Sequence, residues 1–220
     1  MSLSLANILK KSYKSNKEAK EELLKYNYVL DEKLSSDNQK VFFNPITKKL
    51  LVAVAGTHNL KDVLTDVSLG LGGIKNTARY KEAKKILDKA RKRYPSAANS
   101  VDIAGHSLGA QIGSRIAKNK DNIITYGKGS TIGETVRANE KSYRVRGDAF
   151  SALAPNTIEI PKTVNTRSYF QGVQSVLDSH DIRNLDKQPI FIPDTKQRPV
   201  LEYDPNAGDS VEFQNYSLND

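Results

Sequence analysis

Gly105-His106-Ser107-Leu108-Gly109 follows directly on Val101-Asp102-Ile103-Ala104, and this stretch decides the fold. A serine with a glycine two residues to either side, closing a short apolar run, has the form of a nucleophile elbow. In that geometry the serine occupies a sharp turn between a buried strand and a helix, and the glycines leave room for the turn and the closely packed helix. The flanks agree. Alternation through Ser100 to Ala104 suits a core strand, while Ala110, Ile112, Gly113, Ile116 and Ala117 recur at helical spacing, with small residues where a helix must approach a sheet.

Working outward, Arg79 to Tyr94 predicts a helix that leads into the elbow strand. Tyr80, Ala83, Ile86, Leu87, Ala90 and Tyr94 share one face, lysines and arginines the other, and Pro95 stops it. Upstream strands are expected at Tyr28-Val29-Leu30, Lys40-Val41-Phe42-Phe43 and Leu50 to Ala55, with Asn44-Pro45-Ile46-Thr47 turning between the last two. Downstream, Asp121 to Gly127 and Ser142 to Arg146 read as strands. Alternating helix and strand imply an α/β chain with a mainly parallel central sheet flanked by helices.

Leu5 to Leu24 reads as one or two helices broken by the polar stretch Ser12 to Lys17. The expected organisation is a basic helical segment, 1–26, packed on a single α/β domain, 27–185, followed by a polar extension, 186–220. That extension holds seven acidic and three basic residues with four prolines.

At 220 residues the chain is long enough for one well-buried domain. No apolar run approaches bilayer length, which excludes an integral membrane protein of helical type. The first apolar residues precede the lysines instead of following them, the reverse of a secretory signal, so a soluble cytoplasmic protein is expected. The absence of cysteine excludes disulfides, thiolate nucleophiles and Cys-ligated zinc. The net charge of +9 is unevenly placed: residues 1–94 hold 20 Lys/Arg against 10 Asp/Glu, residues 95–220 hold 14 against 15. Such a field attracts anionic partners, acidic lipid head groups among them, or else only keeps a lysine-rich surface soluble. Nucleic acid is not an expected partner, because no reading motif accompanies the charge.

A serine hydroxyl is unreactive at neutral pH unless a histidine accepts its proton, and that histidine needs a carboxylate to fix its tautomer. The chain has three histidines, His58, His106 and His180. With the order nucleophile, acid, base, only His180 follows Ser107 at a distance. His106 lies inside the elbow, its side chain directed away from Ser107. The acid is sought among Asp148, Asp178 and Asp181. Asp148 is preferred because it follows a predicted strand, where a loop at the carboxyl end can aim it at the site; Asp178 and Asp181 sit so near His180 that they are expected to shape its loop.

In this order the residues resemble the class 3 lipase family of α/β-hydrolases from about Leu30 to Asn184. Val52-Ala53-Val54-Ala55-Gly56-Thr57 with Asp62-Val63-Leu64-Thr65-Asp66 is similar to the family's strand ending in Arg-Gly-Thr and its Asp-x-x-x-Asp segment. Gly105 to Gly109 matches its elbow, Gly147-Asp148 with Ser151 to Pro155 its acid loop, and Ser179-His180-Asp181 its base. The resemblance implies an α/β-hydrolase fold and a triad of Ser107, Asp148 and His180. It also implies an oxyanion hole of Thr57 and the Leu108 backbone N–H. Two departures stand out: Ala55 occupies the arginine position before Gly-Thr, and Ile74-Lys75-Asn76-Thr77-Ala78 replaces a Val-His-x-Gly-Phe stretch. A lid would lie between Asp66 and Arg79, with Leu69, Leu71 and Ile74 as its apolar residues; the alternative is a plain loop crossing the sheet.

The expected activity is therefore carboxylic ester hydrolysis on acyl lipids, of lipase or phospholipase A type, through an acyl-enzyme, with an acyl-lipid or ester substrate. It requires no metal and no cofactor, and peripheral contact with an anionic membrane would suit the basic half. The rival expectation is a lipase-like module that binds lipid or a partner after its site has decayed.

Overall fold

Period-two alternation sorts the strand side chains onto two faces of a sheet, and each face is buried under a different pair of helices. The computed structural model describes residues 3–57, 74–129, 137–152, 157–164 and 178–192. Seven strands form one sheet in chain order: β1 (Val29–Leu30), β2 (Gln39–Asn44), β3 (Lys49–Val54), β4 (Val101–His106), β5 (Asn122–Tyr126), β6 (Glu140–Val145) and β7 (Ile158–Ile160). The first two pairings are antiparallel and the next four parallel. This mostly parallel sheet flanked by helices is the α/β-hydrolase layout expected from the elbow and its flanks.

On one face, Leu51 and Ala53 of β3, Ala104 of β4 and Ile124 and Tyr126 of β5 share a core with Leu5, Ile8 and Leu9 of α1 (Leu5–Ser12) and Ala19 and Leu23 of α2 (Asn16–Leu24). On the other, Leu50, Val52 and Val54, then Val101 and Ile103, pack against Ala83, Leu87 and Ala90 of α3 (Ala78–Arg93) and Ile112 and Ile116 of α4 (Leu108–Ile116). Full burial of an aliphatic side chain contributes about 1.5–3 kcal/mol, so Leu5, Ile8 and Leu9, each at 0% exposure, fasten α1 firmly to the sheet.

The break between α1 and α2 falls where the polar stretch placed it. Ser15 caps α2 in a capping box with Glu18, the serine hydroxyl accepting from the Glu18 N–H and the carboxylate from the Ser15 N–H. Thr77 caps α3 with its hydroxyl, which accepts from the Tyr80 N–H. β7 was not read from the sequence; it is three residues long, at the sheet edge, with Ile158 and Glu159 exposed. The segment before Ile192 returns to the chain start, where Leu5 N–H donates to Ile190 O and Ile192 N–H to Leu3 O. The remainder of the expected 186–220 extension lies outside the described residues. Among the described residues no helix is long and apolar enough to cross a membrane.

Candidate active site

The carboxyl ends of β3, β4, β5 and β6 gather the expected residues at one edge of the sheet. Ser107 follows β4 directly with φ 55° and ψ −126°, a backbone region that costs a non-glycine residue on the order of 1–3 kcal/mol. The strain persists because the surroundings fix it. Ser107 N–H donates to Tyr126 O at 3.1 Å, and its carbonyl accepts from Ala110 N–H as α4 begins. A Cβ at Gly109 would meet Val54 O at 2.3 Å and Ala55 O at 2.4 Å; one at Gly105 would meet Ala110 Cα at 2.6 Å. Both elbow glycines are therefore demanded by close backbone approach, as the sequence pattern implied.

Asp148 and His180, 32 residues apart in sequence, meet directly. His180 Nδ1 lies 2.9 Å from Asp148 Oδ2, and both side chains are at 0% exposure. The carboxylate is further fixed by the Ser151 hydroxyl, donating to Oδ2 at 2.8 Å, and the Phe150 N–H, donating to Oδ1 at 3.0 Å. Burial alone would raise the Asp148 pKa, but the hydrogen bond and charge of His180 and the donors from Ser151 and Phe150 outweigh it, so it lies below the usual carboxylate value. Since the carboxylate can only accept, Nδ1 carries the proton of a neutral His180 and Nε2 presents its lone pair. That Nε2 is buried and makes no hydrogen bond, so the bond to Ser107 is not formed in this structure. Phe150 packs edge-on against the imidazole at 4.7 Å.

Gly127, at the end of β5 with φ 55°, floors this pair: a Cβ there would lie 3.0 Å from His180 Cε1 and 3.4 Å from Asp148 Oδ2. The base loop is held from below by Tyr126, whose hydroxyl donates to Asp181 O at 3.0 Å, and by Asn184, whose amide donates to Asp178 O at 2.6 Å. Asp181 accepts from Arg183. Asp178 and Asp181 thus shape the loop, as expected, and Asp148 alone of the three carboxylates hydrogen-bonds the imidazole.

Thr57 follows β3 by three residues, and its neighbour Gly56 comes so close to the elbow that a Cβ there would be 2.8 Å from Ser107 Cβ. Leu108 opens α4, where backbone N–H groups have no acceptor within the helix. The loop after β3 is held from α3: Arg79 Nη2 donates to Ala55 O at 2.6 Å. Of the expected lid residues, Ile74 is buried in the core cluster that also holds Val54 and Ala83 and starts a short 3-10 helix, Ile74–Asn76; Leu69 and Leu71 lie outside the described residues, as does His58.

Tyr13 escaped sequence reasoning, and His106 was expected only to point away from Ser107. Tyr13 of the α1 C-cap brings its hydroxyl 2.6 Å from His106 Nδ1 and accepts the Gly56 N–H at 2.7 Å. His106 Nε2 lies 3.1 Å from His180 O. Parity carried the signal for His106: it shares a strand face with Ala104, the face covered by α1.

No protein-family model matches the chain, and no curated protein matches it. Solved structures similar to it include the Lip2 lipase from Yarrowia lipolytica (16% identity, TM-score 0.42, covering 66% of this chain and 72% of that one). Others are a mutant of MDLA from Penicillium cyclopium (14%, 0.44, 75% and 78%) and a Rhizomucor miehei lipase propeptide complex (14%, 0.40, 64% and 58%).

Proposed function

We propose that this protein is a serine carboxylic ester hydrolase acting on acyl lipids. The observation that carries the reading is the buried His180–Asp148 pair, its Nε2 making no hydrogen bond, at the same edge of the sheet as a serine in a strained elbow. Ser107 Oγ attacks the ester carbonyl while His180 Nε2 takes its proton and then delivers it to the departing alcohol; water repeats the sequence to release the acid. Asp148 holds the tautomer and balances the imidazolium. Thr57 and the Leu108 N–H receive the charge that develops on the carbonyl oxygen. The uneven positive charge of residues 1–94 supports an anionic lipid surface as the place of action.

The test is hydrolysis of p-nitrophenyl esters from two to sixteen carbons, and of phosphatidylglycerol and phosphatidylcholine vesicles, by wild type and Ser107→Ala. A serine-reactive fluorophosphonate should label Ser107 in a His180-dependent manner. Equal hydrolysis by Ser107→Ala would sink the proposal. A folded wild type that neither hydrolyses nor labels would favour the decayed binding module.

A further inference from the structure

Outside the triad, a chain of hydrogen bonds runs from the loop after β3 to the loop that carries His180. Its members are Gly56, Tyr13, His106 and the His180 backbone. Gly56 N–H donates to the Tyr13 oxygen at 2.7 Å, Tyr13 O···His106 Nδ1 is 2.6 Å, and His106 Nε2···His180 O is 3.1 Å.

The proton positions follow from what each group can do. The His180 carbonyl only accepts, so His106 Nε2 must carry a proton. The Tyr13 oxygen accepts from Gly56 N–H, and at 2.6 Å from an unprotonated Nδ1 its hydroxyl is the donor of that pair. His106 is then a neutral Nε2–H tautomer, accepting on one side and donating on the other. Protonating it would place two donors face to face at Tyr13. The environment opposes this: burial first, then the neighbouring His180, push the His106 pKa down to about 3. The titratable groups around it are Tyr13 from α1, Tyr126 stacked at 5.4 Å from β5, and His180, Asp148 and Asp181 from the loops.

We infer that His106 and Tyr13 are positioning residues that tie the oxyanion loop to the base loop, so that α1 completes the catalytic site. The inference rests on the proposed hydrolase reading. Gly56 immediately precedes Thr57, and orienting its peptide orients the donors that follow. The His180 carbonyl belongs to the base itself, and holding it sets the height of the imidazole over Ser107. Small displacements here are expensive in rate: a misplacement of about 1 Å can cost about a hundredfold. Tyr13 and His106 touch neither substrate nor reacting atoms, so their effect falls on turnover.

Tyr13→Phe keeps the ring and deletes the hydroxyl. It should lower kcat by about ten- to a hundredfold, with KM within about twofold and a thermal midpoint near that of wild type. Ring-nitrogen NMR of histidine-labelled protein supplies a readout that does not depend on catalysis. Wild-type His106 should show one neutral Nε2–H form across the acid range in which ordinary histidines titrate, and Tyr13→Phe should lose that single form. Retention of kcat within twofold in Tyr13→Phe overturns the inference, as does a wild-type His106 that titrates near 6.5 or carries its proton on Nδ1. If wild type turns over no ester, the proposed function fails, and the tautomer measurement decides the positioning chain by itself.

Discussion

Asp148 Oδ2 and His180 Nδ1 stand 2.9 Å apart with no solvent access to either side chain, so the orientation of the imidazole depends on this carboxylate. Asp148→Asn preserves shape but presents an amide that can force the opposite tautomer, placing a proton on Nε2 where the serine proton must go. Turnover should fall by about 10³- to 10⁴-fold with the fold retained, measured as kcat on a short ester beside far-UV circular dichroism.

The same carboxylate gives a stability profile with a definite sign. Its folded pKa is lower than its ordinary 3.8, so the folded state binds fewer protons and gains stability at all pH above the unfolded value. That gain is lost as pH falls through the folded value. Urea unfolding should therefore show wild type losing more stability than Asp148→Asn between pH 4 and pH 2, with little change in their difference from pH 5 to 7. Parallel losses in the acid range would contradict the assignment.

Backbone strain at Ser107 predicts opposite effects on stability and activity. With φ at 55°, Ser107→Gly relieves the conformational cost and should stabilise the protein by about 1–3 kcal/mol while abolishing hydrolysis. Ser107→Ala is equally inactive but keeps a Cβ, so it should unfold close to wild type. Thermal midpoints of the three proteins, taken together, check both statements.

The elbow glycines should differ sharply from the helix glycine that follows them. A methyl at Gly109 meets backbone oxygens of β3 at 2.3 and 2.4 Å, whereas one at Gly113 meets only Ile103 Cγ2 at 3.1 Å and Val54 Cγ2 at 4.0 Å. Gly109→Ala must push α4 off the sheet and should impair folding. Gly113→Ala asks a side chain to yield slightly and gains up to about 1 kcal/mol of helix propensity. Soluble yield and urea midpoints distinguish the two.

These glycines also mark how far the sequence could be read. Gly105 and Gly109 are two residues either side of Ser107, and local spacing alone revealed their role; the continuous apolar run of β3, the alternation of β4 and the amphipathic α3 were equally local. The meeting of Asp148 with His180 joined distant positions, and only motif order and the place of Asp148 after a predicted strand suggested it. Tyr13 and Arg79 had no comparable signal. Each reaches the loop after β3 from a helix, through contacts 43 and 24 residues long in sequence, and a tyrosine or arginine in a basic amphipathic stretch looks like any solvated residue. β7 was missed because two of its three residues are exposed, which leaves no hydrophobic pattern.

Arg79 supplies the last prediction, because its position is wrong for helix stability and right for the loop. It lies in the first turn of α3, where the helix dipole disfavours a cation by about 0.3–1 kcal/mol. On that ground alone Arg79→Gln should stabilise the protein. Its guanidinium, however, donates to Ala55 O at 2.6 Å, and a hydrogen bond from a charged donor contributes about 1.5–3 kcal/mol. The bond outweighs the dipole, so Arg79→Gln should lose about 1–2 kcal/mol in urea unfolding. Because Ala55 leads directly to Gly56 and Thr57, it should also lower kcat more than it raises KM. A more stable Arg79→Gln with unchanged turnover would show that α3 does not support the loop after β3.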